Sequence, residues 1–307
     1  MALAADAAST RRGVRPASKP LAYASWAYLL SAPAFLLTVA TIVAPLIIVA
    51  AISLTNYKFG RPTMKFVGLD NYGQLFSDPD FWNALRNSAT YSAIVVPVSV
   101  LLAFVLAALV KSRTRSKRFY EIVFFLPVAS TLTAMSIVWS YILNGRIGPV
   151  ADLTEAIGLG RPDFFSDPRL ALIGLAIIGI WQLLGFNFIL FLAGFTTIPK
   201  EVEEAAALDG IDRFWDRARY VFLPMLAPTT FVVLLLSLIQ TFQVFDTIAV
   251  LTNGGPNGAT DVLLYKIQRD SFVSLKVGYG SALTVVFLIL LGLFAVAQGL
   301  ASRKREG

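Results

Sequence analysis

The side chains that most enzymes use for chemistry are missing from this sequence. Its 307 residues include no histidine and no cysteine, which excludes imidazole acid–base catalysis, thiol nucleophiles, disulfides and thiolate metal sites. The sequence has no G-x-x-x-x-G-K-[ST] segment, so any ATP would have to bind another chain. A two-aspartate protease needs paired carboxylates at membrane depth, and the apolar spans offer only Asp246. We therefore predict a chain that is not an enzyme and binds no cofactor of its own.

Polar side chains are instead concentrated near the end of one apolar run. If residues 224–251 form one helix, five of these side chains fall within an arc of about 160°, with a sixth just outside it. The six are Ser237, Gln240, Thr241, Gln243, Asp246 and Thr247. Such residues either line a water-filled pathway or hydrogen-bond neighbouring helices, and the sequence leaves both interpretations open. On this helix Asp246 is expected near the external mouth, as a gate residue.

A charged, helix-prone segment at residues 201–228 separates two of the apolar runs. Its first turns carry glutamates, where the helix dipole favours carboxylates. Alanines continue the helix, and Gly210 suits the left-handed position at which helices end. Pro224 opens the next apolar run. The segment therefore predicts a helix, a sharp turn and a second helix on one face of the membrane.

Six uncharged runs, each longer than the roughly 20 residues that cross a bilayer, divide the chain. They are residues 20–57, 87–110, 122–145, 170–199, 220–245 and 277–302. Hydrophobic residues make up 56% of the chain, which is too many for a soluble protein. We predict an all-α, polytopic membrane protein whose six transmembrane helices form one domain, residues 23–302. Pro127, inside the third run, permits a kink.

The basic residues predict which side of the membrane each loop faces. With the N-terminus inside, sixteen of the 26 Lys and Arg residues fall in cytoplasmic segments, as the positive-inside rule favours. The net charge of +7 therefore indicates topology and contact with anionic lipid, not nucleic-acid binding. This orientation predicts cytoplasmic tails at 1–22 and 303–307, the first basic and disordered, and a cytoplasmic loop at about 197–222. A signal peptide is disfavoured because the first apolar run is too long.

The segment at 201–228 resembles the EAA loop of binding-protein-dependent ABC importer permeases, whose motif reads E-A-A-x3-G-x9-I-x-L-P. The residues that match this motif in type are Glu204, Ala205, Ala206, Gly210, Leu223 and Pro224. Val221 replaces the isoleucine, and ten residues instead of nine separate it from Gly210. The longer spacer leaves open how the second helix is rotated relative to Pro224.

This resemblance implies a type I importer permease fold in a bacterial inner membrane, with both termini cytoplasmic. In the family, the loop is a coupling helix that docks in a cleft of a separate ATPase subunit. A second permease, two ATPase subunits that bind ATP and Mg, and an extracytoplasmic solute-binding protein complete the importer. Carried over to this chain, Glu204 and Gly210 hold the shape of the loop, while Ala205 and Ala206 allow close approach to the ATPase.

A second resemblance concerns the solute. The phrase FVGLDNYGQLFSDPDFWNALRNS and the sequence after residue 244 are similar to the maltose-type, carbohydrate-uptake branch of these permeases. The branch pattern F-D…L-T-x-G-G-P…L-x-Y is matched by Phe245, Asp246, Leu251, Thr252, Gly254, Gly255, Pro256 and Tyr265. Within this branch, the sequence at residues 259–272 is more similar to the glycerol-3-phosphate permeases. A sugar is therefore the leading solute, and glycerol 3-phosphate or an anionic sugar derivative is the alternative.

A stand-alone secondary transporter is the alternative of another class. Such proteins usually couple transport to ions through ionisable residues at mid-membrane. This chain offers only Asp246, near one end of a span. The leading hypothesis is therefore a permease subunit that forms the membrane pathway and depends on a partner ATPase.

Overall fold

The computed structural model describes residues 21–111, 113 and 116–306, and the side chains of these residues except 21–27, 29 and 301–306. Most of the predicted basic tail at 1–22, three residues of the basic block at 111–118 and the side chains of the predicted C-terminal tail lie outside this description. The described chain consists of helices and loops, with one isolated antiparallel bridge between Thr55 and Phe66. The all-α prediction is confirmed.

The described residues contain five stretches that are long and apolar enough to cross a membrane, and a bent helix pair that makes a sixth if it counts as one span. The five are Leu30–Ser53, Pro79–Lys111, Ala171–Phe195, Ala227–Leu251 and Val277–Leu300, and the pair is Lys117–Ala129 with Leu132–Ile142. These stretches correspond one to one with the six predicted runs.

Residues 21–48 belong to a compact unit of their own. The helical elements here are α1 (Leu21–Thr38), a π-helical turn (Val39–Val43) and the start of α2 (Ala44–Ser53). Large apolar side chains of this unit, such as Leu37 and Ile47, are exposed. Exposure of this kind is compatible with a membrane span, because lipid does not drive apolar side chains inward.

The second unit, residues 49–306, contains every residue of the predicted sites. Its helices are α3 (Asp70–Ser77), α4 (Pro79–Lys111), α5 (Lys117–Ala129), α6 (Leu132–Ile142), α7 (Pro149–Ala156), α8 (Ala171–Phe195), α9 (Lys200–Leu208), α10 (Phe214–Arg217), α11 (Leu223–Met225), α12 (Ala227–Phe242), α13 (Asp246–Leu251), α14 (Leu263–Gln268) and α15 (Val277–Glu306). α4 is central to this unit, because it packs along α8 and also contacts α12, α14, α3 and α5.

α4 begins at Pro79, well before the predicted start near residue 88. Proline suits the first position of a helix, and the preceding Asp78 carboxylate accepts a hydrogen bond from an amide of the first turn (2.9 Å). Asn83 and Asn87 then donate to the backbone carbonyl of Gly258 (2.8 and 2.9 Å). The charged residues that excluded this segment from the predicted span therefore belong to a helical extension tied to the loop after α13.

The third predicted span is two helices, α5 and α6, which are bent by 101° at the break between them. Ser130 and Thr131 form the break, both with extended backbone. Pro127 cannot donate to the helix ladder, and the Ser130 hydroxyl donates to the carbonyl of Leu126 (2.8 Å) at the helix end. The predicted kink is therefore a full break.

The fifth predicted span is present as Ala227–Leu251, but the prediction of one continuous helix over residues 224–251 is wrong. The chain forms α11, α12 and α13 instead, with an interruption after Phe242. Gln243 has φ −91° and ψ 11°, and Phe245 has φ −144° and ψ −54°, so neither continues the helix. Irregular backbone at membrane depth is tolerated where it is buried in protein or lines a cavity.

Glycines of α8 let neighbouring helices approach closely. A Cβ on Gly179 would collide with the Tyr91 hydroxyl of α4, and one on Gly185 would collide with the backbone carbonyl of Phe124 in α5. Small residues are the usual means of close packing where lipid supplies no hydrophobic drive between helices. α4 and α5 therefore contact α8 through positions that only glycine can occupy.

Phenylalanine rings pack where α4, α8 and the segment before α11 meet. The Phe104 ring of α4 lies 5.6 Å from Phe191 and 5.9 Å from Phe195 of α8, measured between centroids. Phe195 in turn contacts Phe222 edge to face at 5.1 Å. Aromatic pairs add about 0.5–1.5 kcal/mol each beyond their buried area. These rings join the end of α8 to the segment that follows α10.

Candidate functional site

α9 ends in a Schellman motif centred on Gly210, which has φ +79°. The amide of Ile211 donates to the carbonyl of Ala206 (2.9 Å), and the amide of Gly210 donates to that of Ala207 (3.1 Å). Arg217 of α10 then donates through Nε to the carbonyl of Ile211 (2.9 Å), which closes the turn. The predicted helix, sharp turn and second helix are present, with the glycine in the left-handed position.

α9 has one face on the protein core and one face in the open. Val202 and Ala206 pack into the core, and Ala206 is only 7% exposed. Glu204, Ala205 and Leu208 lie on the open face, and Leu208 is 90% exposed. Of the two alanines expected to approach an ATPase, only Ala205 is therefore accessible, while Ala206 seats the helix. Leu208 was not predicted; its only sequence signal is an apolar residue just before the turn.

A π-helical turn at Ala218–Phe222 absorbs the extra residue of the motif spacer. The amide of Leu223 donates to the carbonyl of Ala218, five residues earlier. A π-turn holds one residue more than an α-turn, which matches the one extra residue of the motif spacer. Val221 thereby faces the core, at 6% exposure, and Leu223 and Pro224 follow as exposed residues.

A cavity of about 170 Å³ lies where the helix is interrupted after α12. Three predicted pathway residues that are not buried, Gln240, Gln243 and Asp246, line it together with the buried Thr241. Gln182 of α8 and Tyr91 of α4 also line it. The cavity thus offers amide donors and acceptors, a hydroxyl and one carboxylate, and its described lining holds no Lys or Arg.

The other three predicted pathway residues are buried between helices. The Ser237 hydroxyl donates to Asn187 Oδ1 of α8 (3.0 Å), and the Thr241 hydroxyl is 2.8 Å from that of Ser92 in α4. Thr241 also borders the cavity. Thr247 is 2% exposed, and its hydroxyl has no hydrogen-bond partner among the described residues. Gln240, Gln243 and Asp246 therefore fit the pathway interpretation, whereas Ser237 and Thr241 hydrogen-bond neighbouring helices.

Two residues of the cavity, Tyr91 and Gly179, are not predicted from the sequence. Tyr91 is one of several polar side chains at residues 87–92 of α4, and only 3% of it is exposed. Gly179 matters because its missing side chain leaves room for the Tyr91 hydroxyl. Only the pairing of α4 with α8 brings them together, and a single sequence does not reveal which helices pair.

The loop after α13 is held against α4 by hydrogen bonds. The Thr260 hydroxyl lies 2.6 Å from the carbonyl of Gly255 and 2.7 Å from the hydroxyl of Thr252, so it closes the turn at residues 254–256. Asn87 of α4 donates to the backbone carbonyl of Asp261 (2.9 Å). Thr252, a residue of the carbohydrate-branch pattern, and Thr260 thus fix the shape of this loop.

An ion-pair cluster joins the start of α4 to α14 and α15. The Lys266 ammonium is 3.0 Å from Asp78 and 3.1 Å from Asp270, with 4% of its side chain exposed. Burial alone would raise the pKa of Asp78, but hydrogen bonds from Tyr279 (2.6 Å) and Lys266 hold it below its usual value. Burial likewise opposes the charge on Lys266, but the carboxylates of Asp270 and Asp78 raise its pKa. The Asp78 carboxylate and the Lys266 ammonium therefore remain charged at neutral pH.

Within the described residues, no group of three or more His, Cys, Asp or Glu side chains could hold a metal ion. The candidate sites are an elbow with an exposed helical face, at α9 and Gly210, and a polar cavity between α4, α8 and the interrupted end of α12.

A family model described as the binding-protein-dependent transport system inner membrane component matches residues 96–306. The match includes the whole elbow and every cavity residue except Tyr91. The chain belongs to this family. It is accordingly a multi-pass inner membrane protein and a transport subunit, and the predicted resemblance to importer permeases is confirmed.

Individual relatives agree with this assignment. The sn-glycerol-3-phosphate transport system permease protein UgpA of Agrobacterium fabrum is 31% identical over 269 residues, which cover 86% of this chain and 89% of UgpA. The probable starch degradation products transport system permease protein AmyD of Thermoanaerobacterium thermosulfurigenes is 27% identical over 281 residues, 92% of this chain and 95% of AmyD.

Among solved structures, a bacterial alginate ABC transporter in complex with an alginate pentasaccharide-bound periplasmic protein contains a similar chain. The TM-score is 0.80 at 20% identity, over 92% of this chain and 96% of the matched one. This likeness concerns the fold, and it confirms the predicted importer permease architecture of type I.

Proposed function

We propose that this chain is one of two permease subunits of an ATP-driven importer for a neutral sugar. The observation that carries the proposal is a polar cavity and an exposed elbow in one unit, linked through α4 and α8. Movement of the elbow by a partner would reach the cavity along these packed helices. The second permease, which is a related chain, would supply the other wall of the pathway.

The elbow is the docking surface for an ATPase subunit. Glu204, Ala205 and Leu208 form an exposed face with a small residue at its middle and an apolar residue at its tip. A small residue allows a cleft to close tightly around a helix, and an exposed apolar side chain gains free energy when a partner covers it. Two ATPase subunits would bind ATP and Mg. The elbow and both chain termini would then face the cytoplasm, as the basic residues predict.

The cavity favours an uncharged solute that is rich in hydroxyl groups. Glutamine amides both donate and accept hydrogen bonds, and the Asp246 carboxylate accepts them from hydroxyls. A phosphate or a uronate would be repelled by Asp246, and the described lining has no cation to offset that repulsion. We therefore favour a neutral sugar over glycerol 3-phosphate, although UgpA is named for the latter. An extracytoplasmic binding protein would deliver the solute.

Two measurements test this proposal. Mass spectrometry of the solute released from the binding protein encoded beside this chain should find a neutral glycan, and a phosphorylated or carboxylated solute would refute the proposed solute class. Uptake of that glycan into proteoliposomes should require both permeases, the ATPase and internal ATP. Uptake by this chain alone, driven by an ion gradient, would refute the importer assignment and favour a secondary transporter.

A further inference from the structure

We propose that Lys111 is a positioning residue that fastens the coupling helix α9 to the cytoplasmic end of α4. The inference rests on the proposed function and adds to it the contact through which movement of the elbow reaches the membrane helices. The Lys111 ammonium lies 2.5 Å from Glu203 Oε1 in the first turn of α9. Only 21% and 27% of the two side chains are exposed, so solvent screens this pair less than a surface pair.

Two phenylalanine rings complete the environment of the ammonium. Lys111 Nζ lies 5.2 Å from the centroid of Phe195, the last residue of α8, and 4.9 Å from that of Phe222 in the π-helical turn. A cation within about 6 Å of an aromatic face is attracted to it. One ammonium therefore contacts α8, α9 and the segment leading to α11, and its backbone is the last residue of α4.

Both charges of the pair lie at the helix ends that favour them. Lys111 is at the C-terminus of α4, where the helix dipole stabilises a cation. Glu203 is in the first turn of α9, where it stabilises an anion. Exchanging the two charges would therefore place both at unfavourable ends, and a charge swap is a poor rescue experiment for this pair.

Few other contacts seat α9 on the protein. Its inner face contributes Val202 and Ala206 to the core, and both side chains are small. The open face, with Ala205 and Leu208, makes no core contact. Without the ion pair, only a small apolar area would hold α9. A force applied by the ATPase to the open face would then move α9 alone and leave α4 in place. α4 carries Tyr91 of the cavity, so Lys111 links the elbow to the solute site.

The test uses the full complex of both permeases and the ATPase in liposomes. ATP hydrolysis is measured with and without the binding protein, added as isolated with its bound solute. Lys111→Met should reduce the stimulation by the binding protein at least roughly fivefold, the lower end of typical allosteric coupling. Basal hydrolysis and the amount of co-purified ATPase should stay unchanged. Lys111→Arg, which keeps the charge and the aromatic contact, should preserve the stimulation.

Matched variants separate this contact from a general loss of charge. Lys117→Met removes a cation six residues away that pairs with Glu121 at 3.9 Å on α5, and it should behave like the wild type. Glu203→Gln should also reduce the stimulation, and the double variant should be no worse than Lys111→Met alone, because the contact between Lys111 and Glu203 is already absent there. If Lys111→Met loses the ATPase, Glu203→Gln alone decides the question.

Full stimulation in both single variants would overturn the inference, and so would an equal loss in Lys117→Met. An additive double variant would also overturn it. A different result would refute the proposed function itself. In that case, ATP hydrolysis by the wild-type complex would not respond to the binding protein. The two failures are therefore distinguishable in one set of measurements.

Discussion

Gly210 shows how a single backbone angle sets the shape of the elbow. A Cβ added there would meet no atom within 4 Å, so space does not restrict the side chain. The restriction comes from φ +79°, which costs an L-residue roughly 1–2 kcal/mol, and asparagine less than most residues. The sequence predicts this position because a glycine two residues after Leu208, the last of a run of strong helix formers, suits the left-handed end of a helix.

Replacing Gly210 separates backbone strain from side-chain volume. Gly210→Asn should retain most of the ATP hydrolysis stimulated by the binding protein, since asparagine tolerates left-handed backbone. Gly210→Val should reduce the stimulated ATP hydrolysis severalfold in a complex that still assembles, because a β-branched residue does not tolerate this backbone. The two variants are compared in the same liposome assay. Equal activity of both would show that the left-handed turn is not needed for coupling.

The Lys266 cluster predicts a stability effect far from the elbow. Lys266→Met would leave the Asp78 and Asp270 carboxylates uncompensated, and we expect a loss of about 3 kcal/mol. Because the pKa of Lys266 is raised above 10.5, its contribution is complete below that pH and is lost only as pH rises through the folded-state pKa. Thermal unfolding in detergent should therefore show the same gap between wild type and variant from pH 7 to pH 10. Lys276→Met, at an exposed lysine of the same surface, is the control, and a gap that closes below pH 10 would contradict the assignment.

At the scale of elements, the π-helical turn at Ala218–Phe222 reconciles an irregular motif with a regular elbow. The sequence shows one residue too many between Gly210 and Val221, but it does not show where the chain absorbs it. The structure localises the extra residue to a single turn. We expect the helices on both sides to keep the relation that the shorter family motif would give them.

Deleting one residue from this turn tests that explanation. Deletion of Tyr220, which is 60% exposed, should convert the π-turn to an α-turn and leave stimulated ATP hydrolysis within about twofold of wild type. Inserting an alanine at the same place should abolish the stimulation, because the next helix rotates by about 100°. Loss of function on deletion, with the complex assembled, would mean that the π-turn itself is required.

The elements differ in how far their sequence predicts them. α8 begins within one residue of the predicted run 170–199 and ends four residues before the end of that run, because the run is uniformly apolar and is followed by a charged segment. The interruption after Phe242 is not predictable, since Gln243 to Phe245 contain neither proline nor glycine. Pro127 predicts that the helix is disturbed near the α5–α6 break. The bend angle of 101° depends on the backbone of Ser130 and Thr131, which Pro127 does not predict. Tertiary packing determines what local sequence leaves open.

In the whole molecule, we expect the residues of the cavity to contact the solute, whereas buried hydroxyls beside it, such as that of Thr247, do not. Gln240→Ala combined with Gln243→Ala should lower uptake of the identified sugar roughly tenfold, equivalent to about 1.4 kcal/mol, by removing hydrogen bonds to it. Thr247→Val removes a buried hydroxyl that has no partner among the described residues, and uptake should be unchanged. Uptake in proteoliposomes is the measurement. The reverse ranking of these variants would place the pathway on the other side of α13.

The most direct test of the central claim asks what the exposed face of α9 touches. A photoreactive benzoylphenylalanine replacing Leu208 is irradiated in the assembled complex, and the cross-linked partner is identified by mass spectrometry. The same residue replacing Leu159, which is 74% exposed in a loop predicted to be external, is the control. We expect an adduct with the ATPase subunit from position 208 and none from position 159. An intact complex in which position 208 yields no ATPase adduct would contradict it.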